Sequence, residues 1–135
     1  MNKLSGSITE IQSHEGMSLV KVKTPNAVVF TSIVLDTPET AGYLKVGNSV
    51  NILFKETEVI ISKDLHLNIS IQNQVLCTIQ SINTGVLLSQ VNLTSGETTI
   101  KSIITSNACK QLELKANDEV MALIKTNEIS LSRND

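Results

Sequence analysis

The chain repeats itself at a spacing of 70 residues. Adding 70 carries Ser32 to Ser102, Ile33 to Ile103, Leu44 to Leu114 and Lys45 to Lys115. The same step carries Val50 to Val120, Leu53 to Leu123, Lys55 to Lys125, Glu58 to Glu128 and Ser62 to Ser132. All of these are identities. Val59 and Ile129, and Ile61 and Leu131, are apolar swaps in the same register. Upstream the spacing slips. Ile8 and Ile11 match Ile79 and Ile82 at 71, and Gly16 matches Gly85 at 69, as happens where a loop absorbs a length change. Lys and Glu at matching places separate this from chance agreement among apolar residues, so the fixed spacing reads as duplication. The predicted modules are residues 1–64 and 65–135.

Each module is close to 60 residues, and a domain of about that size buries only about 60% of its unfolded surface. The halves therefore need each other or further subunits, and a homo-oligomer is expected. Aromatic residues are 2% of the chain and Trp is missing. The core must be Ile, Val and Leu, and the β-branched members of that set favour strands. No apolar run approaches the roughly 18 residues of a membrane span, and the first residues hold no signal-like apolar segment. Cys77 and Cys109 form no metal or redox motif, so the cytosol, with both thiols reduced, is the expected compartment. The net charge is −2 and the single arginine is Arg133. No global field gathers a polyanion, and three aromatics give little for stacked bases. Nucleic acid is therefore not an expected partner. An anion site would have to be local, built from backbone N–H groups, hydroxyls and a few lysines.

In order, Leu4 to Ile11 reads as a strand, His14-Glu15-Gly16 as a turn, and Ser18 to Lys23 as an alternating strand. Pro25-Asn26 turns the chain. Ala27 to Leu35 reads as a strand buried on both faces. Asp36-Thr37-Pro38-Glu39 starts a short helical turn, with an Asp or Thr cap and proline in the first helical position. Val50 to Phe54 and Glu58 to Ser62 read as a hairpin. The second copy repeats the plan. Its strands are Ile69 to Ile82, Val86 to Leu93 and Thr98 to Ile104, the last two joined through Thr94-Ser95-Gly96-Glu97. A helical turn runs to Leu112, and a closing hairpin pairs Glu119 to Ile124 with Glu128 to Leu131. The expected fold is all-β: two tandem OB-like five-stranded barrels, each with one short helical turn.

The pattern resembles the Mop or molbindin family, within the wider TOBE group, in its tandem arrangement. Ser70-Ile71-Gln72-Asn73-Gln74 stands where that family opens with Ser-Ala-Arg-Asn-Gln, so Gln72 replaces the Arg. Cys77 stands at the family's strand glycine. Thr105 keeps a threonine, Ala108 replaces a serine, Leu112-Glu113-Leu114 replaces Leu-Gly-Leu, and Lys125 keeps the lysine of the closing hairpin. In the first copy Asn2, Gly6 and Lys55 are what remains. The resemblance implies a small cytoplasmic protein, not an enzyme, that binds, stores or buffers molybdate or tungstate between modules or subunits. It implies no cofactor, and a homo-oligomer, a trimer before a dimer.

Molybdate is a tetrahedral dianion whose oxygens only accept hydrogen bonds at neutral pH. The residues that match the family and carry donors are Ser70, Gln72, Asn73, Thr105, Ser106, Lys125 and Thr126. Thr105 and Ser106 precede a helical turn whose free N–H groups suit an anion. Lys125 supplies charge, and charge-assisted hydrogen bonds contribute roughly 1.5–3 kcal/mol each. Gln72 donates two N–H groups but lacks the guanidinium charge. In the first copy Asp36 and Glu39 crowd the helix start and repel a dianion, so that pocket is expected to be closed. No Ser-His-Asp set, paired carboxylates, metal cluster or phosphate loop is present. A second reading stays open: an oligomerisation or regulatory module of the same fold that no longer binds the ligand.

Overall fold

The computed structural model describes residues 1–134. The strands are β1 (Asn2–His14), β2 (Met17–Lys23), β3 (Val29–Val34), β4 (Ser49–Phe54), β5 (Ile60–Ser62), β6 (Asn73–Thr84), β7 (Leu88–Ser95), β8 (Thr98–Thr105), β9 (Glu119–Ile124) and β10 (Ser130–Arg133). A single α-helix among the described residues, α1 (Ser106–Gln111), sits between β8 and β9. The chain divides into two compact units. The first is Met1–Phe54 with the segment from Lys125 onward, and the second is Lys55–Ile124. Each unit contains one antiparallel five-stranded sheet. The orders are β10-β4-β1-β2-β3 and β5-β9-β6-β7-β8. The all-β, OB-like expectation is borne out.

The closing hairpins are not. β5 pairs with β9, placing Ile61 opposite Ala122. β10 pairs with β4, placing Leu131 opposite Ile52. The reason is in the backbone at the joints. A 3-10 turn, Glu56–Glu58, follows β4, and its flanking residues Lys55 and Val59 are both extended. Thr126–Glu128 does the same after β9, between extended Lys125 and Ile129. No residue in either joint takes the positive φ that a two-residue hairpin demands. The chain is carried onward instead of back. The repeats, 1–64 and 65–135, and the compact units are thus different divisions: each unit joins most of one repeat to the closing strand of the other.

Two buried serines fix the exchanged segments. Ser32 donates its hydroxyl to the Ile129 carbonyl, and Ser102 donates to the Val59 carbonyl, each at 2.7 Å. The four residues are related by the 70-residue step, so one hydrogen bond is made twice. Both hydroxyls are buried, where losing a partner is costly.

The cores follow strand alternation. Ile8, Val20, Val22, Phe30, Val50, Ile52 and Phe54 fill the first unit. The Phe30 and Phe54 rings lie 5.9 Å apart. Val75, Ile79, Val91, Leu93, Ile100, Val120 and Ile124 fill the second. The pairing of β1 with β2 shifts between Ile8 and Glu10, and that of β6 with β7 between Ile79 and Ser81. At each bulge the freed backbone is taken up by the loop before the fourth strand. Ile8 N–H donates to Asn48 and the Ile8 carbonyl accepts from Gly47. Ile79 N–H donates to Asp118 and its carbonyl accepts from Asn117. Gly47 and Asn117 hold φ of 95° and 75°, conformations that glycine and asparagine tolerate.

The predicted helical turn forms as α1 in the second unit only. In the first unit, Ala41 N–H reaches the Thr37 carbonyl but the helix goes no further. The Thr40 hydroxyl accepts from Thr37 N–H and lies 3.3 Å from an Asp36 carboxylate oxygen. Side chains that bond the local backbone compete with helix, and Gly42 follows at once. β3 is also shorter than expected, and its burial is confined to Phe30, Thr31 and Ser32.

Candidate functional site

The start of α1 is the best-formed part of the site predicted from sequence. Thr105 is extended, at φ −67° and ψ 145°, and its hydroxyl accepts from Ala108 N–H at 3.0 Å. It is an N-cap of ordinary geometry. Ser106 is buried. Its hydroxyl lies 2.7 Å from the Gly85 carbonyl and 2.8 Å from the Ser89 hydroxyl, and its N–H donates to the Leu87 carbonyl. Two of the first helical N–H groups are therefore used inside the fold, and the Ser106 side chain clamps the 85–89 loop.

A cavity of about 480 Å³ opens at this point, lined by Val86, Leu87, Leu88, Thr105, Ser106, Asn107 and Lys110. Asn107 and Lys110, three apart on one helix face, bring an amide and an ammonium that the sequence reading did not single out. Their spacing in the predicted helical turn was the available signal. Beside it, a second cavity of about 380 Å³ is almost wholly apolar. Thr57, Val59, Ile61, Ile103, Ala108 and Leu112 are among its walls.

The remaining predicted residues divide. Ser70 and Gln72 are exposed on the segment before β6. Asn73 is buried, and its amide donates to the Ile124 carbonyl at 3.0 Å, a bond that ties β6 to the end of β9. Lys125 and Thr126 lie in the first unit, whereas Ser70, Gln72, Asn73, Thr105 and Ser106 lie in the second. The exchange of closing strands causes this. Of the repeat-related pair, it is Lys55, not Lys125, that shares a unit with Thr105. In the first unit the corresponding place is occupied by the Asp36–Thr40 cluster. Glu39, fully exposed, has its carboxyl held below the usual range by the Thr37 side chain and by backbone bonding. Negative charge persists there.

These observations define the class: an all-β protein of two OB-like units, with a polar cavity at one helix start. Residues 69–131, nearly all of the second repeat, match the TOBE domain family, and the first repeat shares that architecture. The whole chain is similar in fold to the cytoplasmic molybdate-binding protein ModG, solved with molybdate bound. The TM-score is 0.91 at 24% identity, covering 98% of this chain and 95% of that one. A molybdate-binding protein from Sporomusa ovata covers 50% of this chain and 100% of its own, at 25% identity and a TM-score of 0.48. No curated protein sequence matches this chain. Among the described residues no helix is long and apolar enough to cross a membrane.

Proposed function

We propose that the protein binds molybdate or tungstate in the cytoplasm and stores or buffers it as a homo-oligomer, a trimer before a dimer. The observation that carries this is the whole-chain likeness in fold to a protein solved with molybdate bound. Supporting it, the cavity at the α1 start offers Thr105, Asn107 and Lys110 to an anion whose oxygens only accept. Ser70 and Gln72 add donors on the same unit. Lys125 and Thr126 lie outside that unit, and we assign their part in the site to another subunit. The role is binding, not catalysis.

Native mass spectrometry with molybdate, then with sulfate, tests the proposal. An oligomer that takes up molybdate and leaves sulfate supports it, and Lys125→Ala then lowers uptake without changing subunit number. An oligomer that stays bare at high micromolar molybdate contradicts it. The second reading, a non-binding module of the same fold, is favoured by one set of observations. Asn73 and Ser106 bond within the fold, and Gln72 is neutral where the family resemblance places an arginine.

A further inference from the structure

We propose a separate tetrahedral-oxyanion site on the sheet face of the first unit, formed by the row Ser49–Ser7–Lys23. Ser7 pairs directly with Lys23 on β2 and with Ser49 on β4. Residues opposite one another in a sheet share a face, with Cβ atoms about 4.5–5.5 Å apart. Ser5, two residues before Ser7, points the same way. Ser5, Ser7, Ser49 and Lys23 line one pocket of about 310 Å³. Ser49 also lines an adjoining pocket with Gly42, Tyr43 and Asn48. Asn134 borders both.

The donors are unspent. The other two hydroxyls of the pocket are used: Thr9 donates to the Lys21 carbonyl, and Thr24 to Asn26. Those of Ser5, Ser7 and Ser49 have no side-chain partner among the described residues, and Lys23 has no ion pair. Three hydroxyls and the Lys23 ammonium supply donors in three dimensions and a compensating charge for an oxyanion. The pocket is open, so a phosphate-class group fits free or as the terminus of a small phosphomonoester.

The second unit is a built-in control. Its corresponding row is Glu119–Thr78–Thr94. A carboxylate replaces Ser49 and no cation replaces Lys23, so an oxyanion is repelled there. The row is also distinct from the site proposed above. Ser49 starts β4, whereas Lys125 precedes β10, whose first residue pairs with Leu53 near the far end of β4. Ser49 and Leu53 are about 14 Å apart along the strand at ~3.4 Å per residue.

Isothermal titration of the full chain with inorganic phosphate, glycerol phosphate and molybdate tests the proposal, on the wild type, Ser49→Glu, Lys23→Ala and Lys125→Ala. All three substitutions are at exposed positions, and circular dichroism confirms folding. The proposal expects phosphate-class binding that falls at least tenfold in Ser49→Glu and in Lys23→Ala and persists in Lys125→Ala. Glycerol phosphate binding as phosphate does assigns the ester form, and phosphate alone assigns the free ion. Absence of binding in the wild type, or equal binding in Ser49→Glu, overturns the site. Loss in Lys125→Ala alone overturns it too, because the anion is then at the other site.

Discussion

The two units share a sheet order and a bulge but differ in what each shows to solvent. At the tip of the β1–β2 hairpin, Glu15 and Gly16 take φ of 50° and 81°, the left-handed conformation that a two-residue hairpin turn requires. At the corresponding tip, Val86 and Leu87 are 95% and 79% exposed, and neither takes a positive φ. The first unit has a hydroxyl-and-lysine row on its sheet where the second has Glu119. The second has a capped helix and a polar cavity where the first has a turn and two carboxylates. Duplication preserved the hydrogen bonds that hold the exchanged strands and released the surfaces to diverge.

The most disruptive test removes the exchange. Deleting residues 125–135 strips β10 and the Ile129 carbonyl from the first unit. Hydrogen exchange should show β1–β4 amides losing protection, while β6–β9 keep theirs. Equal protection in both units would break the comparison.

Alkaline pH should separate the units next. Burial pushes the Cys77 thiol up to about 12, and Gly6 occupies the place in the other unit. Below about pH 8.5 the thiol is protonated both folded and unfolded, so stability is flat. Above that, the unfolded chain loses the proton and the folded chain keeps it. Stability should then fall by ~1.4 kcal/mol per pH unit until pH reaches about 12. Denaturant melts of wild type and Cys77→Ala from pH 8 to 10 read this, and the difference in slope should vanish in the variant.

Gly6→Cys, which copies the second unit into the first, should cost ~3 kcal/mol, the upper end for overpacking. A Cβ there meets Val22 Cγ1 at 2.6 Å and the Lys23 carbonyl oxygen at 3.0 Å. Ser32→Ala and Ser102→Ala should each cost ~1–2 kcal/mol through a carbonyl left unpaired. Near-equal losses in urea melts would show that the two exchanged segments are held alike. Val86→Asn with Leu87→Gly should change stability by only ~0.5 kcal/mol, because both side chains are already in water.

Much of the fold was legible in the repeat itself, because side-chain period and turn residues are local. The β7–β8 hairpin forms around Gly96 at φ 60°, and β9 spans Glu119–Ile124 as its apolar run indicates. The partners of β5 and β10 were not legible. Apolar runs on either side of a short polar joint look like a hairpin, and only the extended backbone of Lys55 and Lys125 shows that the chain continues. The site suffered from the same gap. Thr105 could be recognised as a cap from its neighbours, but the separation of Lys125 from it depends on which sheet β10 joins. Ser106 and Asn73 carry the right chemistry for a ligand, and their engagement inside the fold is a tertiary fact.

Strand exchange decides which lysine accompanies which helix start, so it should be measured first. Cross-strand backbone NOEs in the isotopically labelled protein would do so. The account predicts contacts of Leu131 with Ile52 and of Ile61 with Ala122. Contacts of Leu131 with the β9 strand just before it, and of Ile61 with β4, would mean closed hairpins within each repeat and would contradict the account.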